Sequence, residues 1–252
     1  MKYLKILSEI SNPIRIKILL LLYDEKSTIT ELKNKIGDIS HSEISRHMGR
    51  LAKLNFIAKE SIPGRKYELT YFGRITVKLY RPLDFIFQNS EYFEDHQIDN
   101  IPEELLHGLH NLEAAELITG TGNLMVKVKN FIESAIKELW IMTNDPFPYE
   151  ITIRHVYLII SPHVLKYGRE VNHEITKYEV HTLTEVNVCI LLSDMGHGFL
   201  FLPNLNSSNP DFNVGFYVSD PDGYNYLKEL FYHFWQTSKE FKFDKTKFFR
   251  ND

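Results

Sequence analysis

The stretch Ser40-His41-Ser42-Glu43-Ile44-Ser45-Arg46-His47-Met48-Gly49-Arg50-Leu51-Ala52-Lys53-Leu54-Asn55 decides how this chain is read. Ser40 with Glu43 three positions on is a capping-box pattern, in which a hydroxyl and a carboxylate satisfy free backbone N–H groups at a helix start. On a helical wheel Ile44, Met48, Leu51 and Asn55 share one sector, with Leu54 beside it, and Ser42, Arg46, Gly49 and Lys53 fall opposite. One side is apolar; the other is small, hydroxylated and basic. A helix lying in a DNA major groove needs that division, because apolar residues fix it to a scaffold while donors reach phosphates and base edges. Gly49 costs about 1 kcal/mol relative to Ala in a helix interior, and close approach of a DNA backbone is one reason to keep it. A solvated amphipathic helix would show the same wheel, so the surroundings must separate the two.

Upstream, Asn12-Pro13 is a helix-start signal: Asn caps, and Pro is pre-set for the first helical position. An apolar stripe from Ile14 to Leu22 follows. Ser27-Thr28-Ile29 reads as a short strand, Thr30 as the cap of a second helix to Ile36, and Gly37 as its stop. Downstream of the quoted helix, Asn55 stands at a left-handed exit. Phe56 to Glu60 and Arg65 to Thr70 form two strands around the turn signal Ser61-Ile62-Pro63-Gly64. Helix, strand, helix, turn, helix, hairpin is the order of a winged helix. Two adjacent cations, Arg65 and Lys66, stand at the wing, where they would meet a phosphate or the minor groove.

Ser40 to Met48 resembles the recognition-helix signature of the ArsR-type winged helices, Asn12 to Leu19 that superfamily's first-helix signature, and Leu51 to Ile57 its turn into the wing, with Asn55 where Gly is usual. The expected DNA contacts are Ser42, Ser45, Arg46, Arg50, Lys53, Arg65 and Lys66. His41 and His47 lie six apart and on different faces, and His47 matches a histidine that packs at the core edge of such domains. No metal site is expected there. Further along, Glu91 to Phe93, His96, Ile101 to Leu106 and Leu112, then Ala135, Glu138 to Thr143, Gly198 to Leu200 and Leu230-Phe231, resemble the archaeal methanogenesis and filament-formation regulators. That resemblance implies one-component regulation, in which a second domain binds an effector and alters DNA binding by the first. The second half is also similar to the phospholipase-D-like sheet of some archaeal sugar-sensing regulators, but none of the eleven histidines has Lys two residues later, so the catalytic motif is missing.

The charge is split. Residues 1–90 hold 16 Lys and Arg against 9 Asp and Glu, a surplus of seven positive charges, while 91–252 hold 13 against 24, a deficit of eleven; the chain's net charge is −4. A basic domain joined to an acidic one fits a nucleic-acid reader attached to a module with another task. At 252 residues and 43% hydrophobic composition, two packed domains are expected. A single cysteine, Cys189, makes neither an internal disulfide nor a thiol-pair metal sensor. The longest apolar run, Ile18 to Tyr23, is too short for a bilayer, and Met1 to Ile10 lacks signal-peptide character. A cytoplasmic protein without membrane contact or cofactor is expected.

After the wing, Phe72, Ile75, Leu79, Leu83 and Ile86 recur in threes and fours along a helix that Pro82 should kink. This stripe either pairs two copies of the chain or packs on its own domain. Pro102 opens a helix to about Leu117, and Leu124 to Ile136 is helical. Short apolar runs at 139–142, 155–160, 178–183, 188–192, 199–202 and 214–218 read as strands, with a helix over 164–173 and a last one over 224–240. The fold class is therefore α+β: a winged helix-turn-helix over 1–90, a helical linker over 91–123 and a mixed α/β effector-type domain over 124–252. His107, His110 and Glu113 lack a fourth ligand nearby and read as a polar stripe. Polar strand ends supply the candidate effector residues Asn144, Ser161, His163, Asp194 and Asp220, since ligands collect at the carboxyl ends of strands; turns need such residues for local reasons too. The expected function is sequence-specific DNA binding by a dimeric, effector-responsive transcriptional regulator, the alternative being a winged helix used for protein contact. An enzyme is not expected, because no nucleophile, base and oxyanion set is present.

Overall fold

The computed structural model describes residues 2–60, 66–145, 151, 153–164 and 177–241. Two compact units divide the chain, Met1–Leu83 and Asp84–Asp252.

In the first unit, helix α1 (Lys2–Ile10) precedes α2 (Pro13–Asp24), α3 (Ile29–Ile36) and α4 (His41–Lys53). The Asn12 side chain accepts the Arg15 N–H and Pro13 stands at the first position of α2. Thr28, not Thr30, caps α3 in a full capping box with Glu31, and the helix ends at Gly37, whose φ of 90° suits glycine. Ser27 makes only an isolated bridge to Tyr67, so the expected strand there is a single pair. Asn55 carries the chain out of α4 at φ 63°. Strands β1 (Ile57–Lys59) and β2 (Tyr67–Leu69) pair antiparallel as the wing, and α5 (Tyr71–Gln88) follows. Ile18, Leu19, Leu22, Leu32, Ile44, Met48, Leu51, Phe56, Leu69 and Val77 form one buried core. Pro82 lies inside α5 without ending it.

The second unit contains α6 (Ser90–Phe93), α7 (Glu103–Leu106), a 3₁₀ turn (Leu109–Leu112), β3 (Glu116–Thr119), α8 (Thr121–Ser134), β4 (Glu138–Thr143), β5 (His155–Ile160), β6 (Lys177–Thr182), β7 (Cys189–Ser193), β8 (Gly198–Phe201), β9 (Val214–Val218), α9 (Pro221–Thr237) and β10 (Lys239–Glu240). Among the described residues eight strands form one mixed sheet in the order β10-β6-β5-β4-β7-β8-β9-β3. β4, β5 and β6 run parallel and the other neighbours antiparallel.

Alternation along the strands builds three layers. Trp140, Met142 and Leu192 pack with Tyr226, Leu227, Leu230 and Phe231 of α9, while Leu139, Ile141 and Leu191 pack with Leu124, Val128, Phe131 and Ile132 of α8. Residues 91–123, read as a linker, lie inside this unit: Tyr92, Ile101, Leu105, Leu109 and Leu112 join its core, and β3 forms a sheet edge. The helix expected from Pro102 to Leu117 is thus a short helix, a 3₁₀ turn and a strand. The helix expected over 164–173 lies, beyond Val164, outside the described residues.

Candidate nucleic-acid interface

Helix α4 opens with the reciprocal capping box seen in its sequence: Glu43 N–H donates to Ser40 Oγ at 3.2 Å, and Ser40 N–H to Glu43 Oε2 at 3.2 Å. Hydrogen bonds from Ser40 hold the Glu43 carboxyl below its usual titration range. Behind the helix, Ile44, His47, Met48 and Leu51 are buried; in front, Ser42, Ser45, Arg46, Gly49, Arg50 and Lys53 are exposed. A Cβ built on Gly49 meets nothing within 4 Å, so the middle of the outer face is a shallow, open saddle. Among the described residues Arg46 has one ion-pair approach, 3.9 Å to Glu43 on its own helix, with its side chain 64% exposed. Such a surface pair is worth at most about 1 kcal/mol and yields readily to a phosphate. Five of the seven expected contacts therefore share one accessible ridge. Lys66 is half-buried just before the second wing strand, and Arg65 falls outside the described residues.

A polar network behind the ridge was not anticipated from the sequence. Arg15 of α2 is 5% exposed. Its Nε donates to the Glu9 carbonyl at 2.6 Å and lies 3.1 Å from Glu9 Oε2, and its Nη2 donates to the Ser8 carbonyl at 3.2 Å. Arg15 thus caps the last turn of α1, where free carbonyls and the negative end of the helix dipole favour a cation. Its Nη1 faces His47 Nδ1 at 3.5 Å. A guanidinium has only donors, so His47 accepts and carries its proton on Nε2. Burial, then Arg15, Arg46 and Arg50, push the His47 pKa down and keep the ring neutral. The signal was available: Arg15, Ile18, Leu19 and Leu22 recur at helical spacing, so Arg15 sits on the buried face of α2.

The second unit separates the five candidate effector residues. β4 and β5 are parallel, with Thr143 beside Ile160, so Asn144 and Ser161 follow at neighbouring strand ends. Asn144 donates to Asn209 Oδ1 at 2.7 Å, while its own Oδ1 is buried without a hydrogen-bond partner among the described residues; Ser161 Oγ is 2.7 Å from the Nδ1 of exposed His163. Asp194 and Asp220 belong to the opposite end of the sheet. β7 is antiparallel to β4, pairing Ser193 with Leu139, and β9 runs the same way as β7. A six-residue strand spans about 20 Å. Both aspartates also have local tasks, Asp194 accepting the Ile136 and Lys137 N–H groups at 3.0 Å and Asp220 capping α9 through Gly223. The five do not form one site. Their shared composition reflects two ends of a sheet that both need turn chemistry.

Among the described residues no group of three or more His, Cys, Asp or Glu side chains could hold a metal ion, and no helix is long and apolar enough to cross a membrane.

A capped helix presenting a basic outer face, followed by a two-stranded wing, defines the first unit as a winged helix-turn-helix, the DNA-binding class of fold. A family profile described as "Helix-turn-helix domain" matches residues 10–60, the span from the end of α1 to the wing. Solved structures similar to the chain include TrmBL2, an archaeal chromatin protein, at 17% identity and TM-score 0.42, covering 91% of this chain and 94% of that one. HlyU from Vibrio cholerae N16961 in its reduced form is 22% identical with TM-score 0.29 over 32% of this chain and 87% of its own. NucT from Helicobacter pylori is 14% identical with TM-score 0.38, over 50% and 98% respectively. No curated protein matches the chain.

Proposed function

We propose that this chain is a sequence-reading, DNA-binding transcriptional regulator acting in the cytoplasm as a dimer, with the second unit receiving an effector or partner signal. The observation that carries the proposal is the clean division of α4, with Ser42, Ser45, Arg46, Arg50 and Lys53 outward and Ile44, His47, Met48 and Leu51 inward. In this reading Arg46, Arg50 and the serines reach base edges, and Lys53, Arg65 and Lys66 meet phosphates. A second copy docks on the outer stripe of α5, where Phe72, Ile75, Leu79, Leu83 and Phe87 are 38–67% exposed. Two-fold pairing would set two recognition helices one DNA turn apart. For the effector, Asn144, Ser161 and His163 remain the favoured group, with the buried Asn144 oxygen, which has no hydrogen-bond partner among the described residues, as acceptor for a ligand donor.

Fluorescence-anisotropy titration of a duplex enriched from a random pool tests the proposal. Arg46→Ala is expected to weaken binding by about 1–3 kcal/mol if Arg46 reads a base. Titrations of the wild type and Arg46→Ala that superimpose would remove the assignment.

A further inference from the structure

A single carboxylate on α1 serves two guanidiniums of the reading head. Glu9 Oε2 lies 3.1 Å from Arg15 Nε and 3.9 Å from Arg50 Nη1, and the Glu9 side chain is only 15% exposed. Arg15 is wholly inside; Arg50 belongs to the outer face of α4, with its side chain 56% exposed. Glu9 is therefore a largely buried anion seated behind an exposed surface cation. It is itself fixed by Arg15, whose bonds to the Ser8 and Glu9 carbonyls hold the end of α1 in place.

Resting on the DNA-reading proposal, we infer that Glu9 is a positioning residue for sequence recognition: it aims the Arg50 guanidinium across the reading face, although Glu9 itself touches no DNA. An unheld arginine carries large rotamer entropy, which it must surrender to make a directional contact. A phosphate is a diffuse target, met from many rotamers. A base edge or a particular phosphate oxygen pair needs a set direction, because the guanidinium fork donates in one plane. The Glu9 carboxylate approaches one nitrogen of Arg50 as an ion pair at 3.9 Å, beyond hydrogen-bond distance, and the Arg50 side chain stays 56% exposed, so holding and reading are compatible. α1, which lies mostly outside the span matched by the helix-turn-helix profile, thereby becomes part of the reading head.

The consequence concerns discrimination rather than attraction. Removing the Glu9 charge takes an anion from beside the ridge, so sequence-independent binding should hold or rise, while binding to the preferred sequence should fall. The full chain is titrated against its pool-enriched duplex and against a scrambled duplex of equal length, for wild type, Glu9→Gln, Arg50→Ala and the double variant. Glu9→Gln is expected to lower the ratio of the two affinities roughly fivefold, the size of a surface ion pair's contribution, and to lower it no further once Arg50 is alanine. Glu9→Asp keeps the charge beside Arg15 but shortens the reach toward Arg50; it should lower the ratio without loss of thermal stability, separating aim from folding. An unchanged ratio in both Glu9 variants, or an equal effect in the Arg50→Ala background, would overturn the inference while leaving DNA binding intact. A wild type that enriches no sequence would remove the inference together with the reading it rests on.

Discussion

His47 faces the core from the helix whose other side faces outward, and its environment makes its proton a stability variable. Its pKa lies below the usual 6.5, pushed down by burial and then by the three arginines Arg15, Arg46 and Arg50, with Glu43 opposing them. Between that lowered value and 6.5 the unfolded chain binds more protons than the folded one, so stability falls as pH drops through this window; above about 6.5 the ring is neutral in both states and the contribution is flat. Thermal unfolding between pH 7 and pH 5 should show a loss that is smaller in His47→Gln, which keeps an acceptor for Arg15 but cannot be protonated. Equal losses in the two proteins would place the pH sensitivity elsewhere. Gly73 gives a second residue-scale prediction. A Cβ there would lie far closer to the Phe56 carbonyl oxygen than van der Waals contact allows, and that oxygen is a backbone atom that cannot swing aside. Gly73→Ala is expected to destabilise by about 1–3 kcal/mol in denaturant melts, as overpacking does; a loss below a few tenths would mean that the α5 start relaxes freely. Single residues also show where sequence reading succeeds. The Ser40–Glu43 box and Asn55 exit are local chemistry, confined to a few positions, and both are present as read. Glu9 was invisible because its partners lie six and forty-one positions away, and nothing local marks a carboxylate as buried.

Elements follow the same rule of locality. Helices α2 to α4 carry caps, stops and an apolar period, so their existence was legible; only the first residue of α3 moved, because Thr28 and Thr30 are both competent caps and the carboxylate of Glu31 sits at the right distance for Thr28. The strand β3 was not legible. Glu116-Leu117-Ile118-Thr119 continues a helical apolar spacing, and what makes it a strand is its antiparallel register against Thr119↔Val214 through Glu116↔Tyr217, nearly a hundred residues away. The α5 stripe is a third case. Phe72, Ile75, Leu79 and Leu83 are exposed as a pairing surface requires, but Ile86 packs against the second unit's core and Phe87, at 64% exposure, takes its place. If a second copy covers this stripe, Leu79→Glu with Leu83→Glu should convert dimer to monomer in sedimentation velocity, because two buried carboxylates per chain cost several kcal/mol. A wild type that sediments as a monomer at every concentration used would rule the surface out for this purpose.

For the whole molecule, the sign of charge and the layering were legible, and the placement of the effector candidates was not. A surplus of positive charge in residues 1–90 and a deficit beyond them are properties of composition, which folding redistributes only within each unit. The sheet order, by contrast, is set by long-range pairing. It sends Asn144 with Ser161 to one end and Asp194 with Asp220 to the other, although all four have the same local signature of a polar residue after an apolar run. If the α4 ridge and the wing meet phosphates, binding of the full chain to duplex DNA releases counterions, and the logarithm of affinity falls linearly with the logarithm of salt concentration. With about three or four phosphate contacts per chain, the slope between about 50 and 200 mM salt should be near −3 per protomer, and it should be shallower by about one when Lys53 is alanine. A flat salt dependence, or no binding to any duplex at the low end of that range, would contradict the account.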